Sequence, residues 1–176
     1  MSGHRVRAVL AAAGSAVLVL AIVVPVSADS ATRPFRGWVT GEVAFVEVPL
    51  TVCTPSATVF GGLRTEGAAA GQSTHLGATV MTSRHCTPAG DHFGPGMMEL
   101  KSAQGDEVWL SYTGTAPFPV PGDTVIEASI DFDIVGGTGR FADADGSGTM
   151  VAHIVFQGFG DPAWPTTWWW SGTIGH

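Results

Sequence analysis

The stretch Ile126-Glu127-Ala128-Ser129-Ile130-Asp131-Phe132-Asp133-Ile134-Val135-Gly136-Gly137-Thr138-Gly139-Arg140-Phe141 decides how this chain is read. Ile126, Ala128, Ile130, Phe132 and Ile134 fall on one parity; Glu127, Ser129, Asp131 and Asp133 fall on the other. Successive side chains of a strand point to opposite faces, so strict alternation marks a strand with one buried and one wet face. The glycines that follow allow backbone paths closed to other residues and turn the chain back on itself.

Outward from this stretch, nothing beyond the N-terminal segment shows a helical period. Turn residues recur about every 8–12 positions, the spacing of an all-β domain. Strands are expected at 37–48, 57–63, 74–85, 96–103, 107–115, 124–135, 147–157 and 167–174, with a tight hairpin at Gln104-Gly105-Asp106. The inner parity runs through Val39, Val43 and Phe45, with Trp38, Thr40 and Glu42 opposite. It continues through Leu76, Ala78 and Val80, then Met98 and Leu100, then Val108, Leu110 and Tyr112, then Met150, Ala152, Ile154 and Phe156. In the indole-rich tail, Trp168 and Trp170 share a face with Ile174, and Trp169 lies opposite with Thr167 and Thr173. Eight amphipathic strands without helices to cover a sheet predict an all-β fold, a single eight-stranded antiparallel β-barrel of calycin-like form, since closure removes exposed edges. A two-sheet sandwich shares the same local signature.

The N-terminus carries Arg5 and Arg7, an uncharged run from Ala8 to Val26, and Val26-Ser27-Ala28 before Asp29. Basic start, apolar centre and small residues at the cleavage positions predict a signal peptide over 1–28 and a secreted, extracellular product. An uncleaved anchor is the alternative, because the run nears the lower length of a membrane span. Residues 29–36 are expected to be a flexible segment, and 37–176 the barrel. All 15 acidic residues but only six of the eight basic ones lie beyond residue 28, giving that part a formal charge of −9. With no basic patch, nucleic acid and anionic membrane are not expected partners. Cys53 and Cys86, an even pair in an exported chain, favour a disulfide over free thiols or a thiolate metal site.

Motifs for specific chemistry are weak. Gly137-Thr138-Gly139-Arg140-Phe141-Ala142 fits the dinucleotide fingerprint, but Asp143 to Gly148 is poor material for the helix that motif requires. A calcium loop starting at Asp143 would need a carboxylate where Ile154 stands. His75, His85, His92 and His153 show no metal-ligand spacing, and His85 reads as the neighbour of Cys86. No metal or cofactor is expected. The inner parity holds almost no acid, base or nucleophile, which suits binding, or catalysis by shaping a reactive ligand.

The turn Gly136-Gly137-Thr138-Gly139-Arg140-Phe141 resembles the Gly-Gly-Thr-Gly-Arg-Phe turn of the allene oxide cyclase and dirigent-type barrels. Gly105-Asp106-Glu107-Val108-Trp109-Leu110-Ser111-Tyr112-Thr113-Gly114 is similar to a strand of their bacterial secreted members, and Ser73-Thr74-His75-Leu76-Gly77 to their Thr-His-Leu-Gly segment. The resemblance implies an eight-stranded barrel whose open end holds an apolar small molecule. Its characterised relatives are cyclases that fold a polyene and dirigent proteins that orient radicals. The turn itself is expected to be structural. From the residues, the candidate cavity is lined by Trp168, Trp170, Phe132, Tyr112, Met150 and Phe156, the large residues of the inner parity, with Arg84 at its mouth to meet an anion. Three functions compete: binding of a hydrophobic small molecule, a cyclase that shapes a polyene or polyketide-type substrate for ring closure, and a structural or interaction module with a solid core, oligomeric or not.

Overall fold

A computed structural model describes residues 31–120, 122 and 124–176, so the segment read as a signal peptide lies outside the described residues. Eight strands follow one another: β1 Arg33–Glu47, β2 Val59–Ser73, β3 Gly77–Pro88, β4 His92–Ser102, β5 Glu107–Thr115, β6 Val125–Gly137, β7 Asp145–Val155 and β8 Ala163–Gly175. Each pairs antiparallel with the next, and β8 closes onto β1, making the closed eight-stranded antiparallel barrel the alternation predicts.

The alternating run of β6 behaves as its pattern dictates. Ile126, Ala128, Ile130, Phe132 and Ile134 are buried, while the acidic parity faces solvent. Phe35, Val39, Leu100, Leu110, Met150 and Ile174 complete a continuous core inside the ring. Fully burying side chains of this size is worth about 1.5–3 kcal/mol each before entropy is counted. Space for the large rings comes from glycines on neighbouring strands. An added Cβ at Gly37, Gly96, Gly114 or Gly148 would fall 2.2–2.6 Å from the ring of Trp170, Tyr112, Phe93 or Phe132, each its cross-strand partner.

Several boundaries differ from the sequence reading: β4 and β8 each begin four residues earlier, at His92 and Ala163, and β3 is shifted to Gly77–Pro88. β1 begins at Arg33, so part of the 29–36 segment is strand, anchored by the fully buried Phe35 and by pairing of Arg33 with Ile174. β2 runs on through Arg64–Ser73, where Gly67-Ala68-Ala69-Ala70-Gly71 carries little strand propensity of its own and is held by β1 and β3 on either side. In β3 the inner parity is the opposite of the one expected. Ala78 and Val80 face out, and Thr79, Met81, Ser83, His85 and Thr87 face in. Thr74, His75 and Leu76 form the β2–β3 turn, with His75 at φ 66°, and the true inner face is mostly polar. A rule that sends the apolar parity inward therefore chooses the wrong side.

One end of the barrel is sealed by the Gly136–Phe141 turn. Phe141 is fully buried, and Arg140 ties three turns together. Its guanidinium donates to the backbone oxygen of His75, lies 3.3 Å from Asp106 and covers the Phe141 ring at 4.8 Å. Gly139 has φ 59°, and a Cβ there would meet the Asp106 carboxylate at 2.0 Å. At the other end, the 48–58 loop folds back on β2 and is fastened to β3 by the Cys53–Cys86 disulfide, with the Cα atoms 5.5 Å apart. Among the described residues, no helix is long and apolar enough to cross a membrane.

Candidate functional site

The end opposite the Phe141 plug carries three long connections, residues 48–58, 116–124 and 156–162, and one short one, 89–91, and among the described residues the ring stays open there. A cavity of about 480 Å³ descends from this mouth, a size at which barrels and clefts hold small organic ligands. Its floor and one wall are apolar, formed by Val43, Met98, Ile126, Ala128, Ile130, Ala152, Ile154 and Trp168. Alanines at 128 and 152 are buried and lie directly across the β6–β7 ladder, so volume is withheld there by short side chains. Phe60, Phe118 and Phe159 rim the mouth at 44–66% exposure, with Phe118 stacked on Phe159 at 5.6 Å. Apolar rings left this open beside an apolar cavity mark an entrance rather than a core.

The polar groups gather on the wall that β2, β3 and β5 provide. Thr65 and Thr87 hydrogen-bond to each other at 2.9 Å. His85 Nδ1 lies 2.9 Å from the Tyr112 hydroxyl, and its ring stacks on Phe93 at 4.8 Å. Burial pushes the His85 imidazole down to about 4, so it is neutral at ordinary pH. Burial likewise raises the Tyr112 phenol, against a smaller opposite pull from a hydrogen bond with Ser83. No arginine or lysine lines the cavity among the described residues, and the one carboxylate, Asp161, stands in the β7–β8 loop.

The residues expected to line a cavity divide. Trp168 and Tyr112 do line it. Phe156 sits behind its wall, packed on Phe159 and Trp164 at 5.2 and 5.0 Å. Trp170, Phe132 and Met150 are buried in the sealed half, where Phe35 meets Trp170 at 6.1 Å and Phe132 at 6.3 Å. Arg84 is not at the mouth. The reversed parity of β3 sets it on the outer wall, in a groove with Glu42, Glu66 and Glu99, where it pairs across the ladder with Glu66. His85 and Phe93 escaped the sequence reading. For His85 the signal was present: with Cys86 recruited to a disulfide outside the barrel wall, its neighbour has to point inward. Phe93 lies before a bulge at Gly94–Pro95 that hid the start of β4.

Compared with protein-family models, with curated proteins and with solved structures, the chain finds no match in any of the three.

Proposed function

We propose that this chain is an exported β-barrel that takes a hydrophobic small molecule into its open end. The observation that carries the reading is the cavity of about 480 Å³, apolar on floor and far wall and rimmed by exposed phenylalanines. Burying apolar ligand surface there is favourable at roughly 25 cal/mol per Å². The Cys53–Cys86 disulfide and the N-terminal sequence pattern support export. The Gly136–Phe141 turn supports kinship with the allene oxide cyclase and dirigent-type barrels, as a shared structural device at the sealed end.

A second reading, a cofactor-independent cyclase, draws on the His85–Tyr112 pair. A neutral imidazole and a phenol inside an apolar cavity can polarise a carbonyl or relay a proton while the walls hold a polyene folded. Native mass spectrometry of the protein recovered from culture medium tests the first reading. A co-purifying organic mass that solvent extraction removes is the expected result. Protein that remains ligand-free after exposure to a broad extract of apolar metabolites refutes it. Conversion of the extracted molecule during incubation would favour the second reading.

A further inference from the structure

The cavity is polar on one side only, and most of that polarity is already used. Thr65 and Thr87 hydrogen-bond to each other, and the Tyr112 hydroxyl is engaged by His85 Nδ1. The second ring nitrogen, His85 Nε2, has no hydrogen-bond partner among the described residues, although His85 lines the cavity. Its ring is clamped by stacking on Phe93 and by an edge contact with Tyr112, 5.8 Å between centroids. Tyr112 is in turn laid against Gly96, where no side chain could be accommodated. The imidazole is thus held in fixed orientation on the polar wall of a mostly apolar cavity, which is how orientation-setting groups are arranged in small-molecule sites.

We propose that His85 Nε2 reads the head of the ligand, and that this head is one uncharged hydroxyl or carbonyl group at the end of an apolar body. The inference rests on the cavity being a ligand site and names the ligand's class. An uncharged imidazole offers one hydrogen bond, as donor or acceptor according to tautomer. It offers no counter-charge, and no cationic side chain lines the cavity among the described residues. A carboxylate drawn to this depth would lose its hydration without an ion partner. Asp161 near the entrance adds repulsion of the same sign. Free fatty acids and other organic anions are therefore excluded, whereas ketones and alcohols of comparable size are accepted with the head toward β3 and the body against β6, β7 and Trp168.

Isothermal titration of the disulfide-intact protein at pH 7 with decane, 2-decanone, 1-decanol and decanoate tests this. The expected order places at least one neutral-headed compound roughly 3- to 10-fold tighter than decane, the worth of one net hydrogen bond, and decanoate weaker than decane. In His85→Phe, and separately in His85→Leu, the neutral-headed compounds lose their advantage over decane measured in the same variant. Tyr112→Phe, which leaves the imidazole in place but unanchored, shrinks the gain. Should decane and the neutral-headed compounds bind alike, or decanoate bind as tightly as either, His85 is not a head-group reader and the cavity reading survives. Should all four fail to bind, the cavity reading falls with it.

Discussion

Acidification is the sharpest perturbation available to this barrel. The His85 imidazole falls from an ordinary 6.5 to about 4 because burial penalises its charged form. Between those two values the unfolded chain binds a proton that the folded protein refuses. Stability is therefore fully present above about pH 6.5 and drains away as pH falls toward 4. The gap corresponds to about 3 kcal/mol, a large share of the 5–15 kcal/mol typical of a domain. Tyr112, Ser83, Phe93 and Thr65 surround His85 from the strands packed against it, and none carries charge in that window. Asp91 and Glu107, held low by His92 and Lys101 respectively, also lose stabilising charge on acidification, but they are common to wild type and variant. Urea midpoints at pH 7, 5.5 and 4 for wild type and His85→Phe isolate the effect. At pH 7 the variant loses about 1 kcal/mol with the Tyr112 hydrogen bond. Toward pH 4 the difference reverses, and the variant becomes the more stable protein by about 2 kcal/mol. Parallel pH profiles for the two proteins would refute the claim that His85 is buried and neutral.

Other perturbations address the frame around the site. Replacing Cys53 and Cys86 together by alanine frees a loop with a sequence separation of 33 and should lower the unfolding free energy by roughly 3–4 kcal/mol on the chain-entropy model, read by denaturation with and without reductant. Gly96→Ala drives a methyl to 2.3 Å from the Tyr112 ring; a loss of about 1–3 kcal/mol is expected from overpacking, with changed near-ultraviolet dichroism of the displaced tyrosine. Arg140→Ala removes the ties to Asp106 and His75 at the sealed end. It should cost about 1 kcal/mol in thermal or urea unfolding, with no change in ligand affinity, since that turn lies at the opposite end from the cavity.

How much of this could be read from the chain follows from what alternation records. β6 and the end of β8 were legible because one parity gathers most of the large apolar residues, Ile126 to Ile134 in β6 and Trp168, Trp170 and Ile174 in β8, and that parity is the buried one, although Trp169 and Val135 stand on the outer face. β3 was not, because its inner face is mostly polar: His85 and Thr87 line the cavity, while Thr79 and Met81 are buried further along the strand. Thr79, Ser83, His85 and Thr87 point inward, where they find hydroxyl and imidazole partners or open space. The same inversion moved Arg84 outside and hid His85, so the departure from the pattern coincides with the site. Nor could alternation divide the barrel into a filled and an open half. Trp168 and Trp170 look equivalent in sequence, yet Trp170 is packed on Phe35 while Trp168 borders the cavity. That division goes with the Phe141 plug at one end and the open ring at the other.

The central claim, that the open half of the barrel accommodates an apolar molecule, is tested most directly by titrating the uncharged probe N-phenyl-1-naphthylamine into wild type and Ala152→Phe, a substitution that pushes a ring from β7 into the cavity. Saturable fluorescence enhancement at one probe per chain in the wild type, and its loss in the variant, is the predicted result. Enhancement of equal size in both proteins, or none in either, would contradict it.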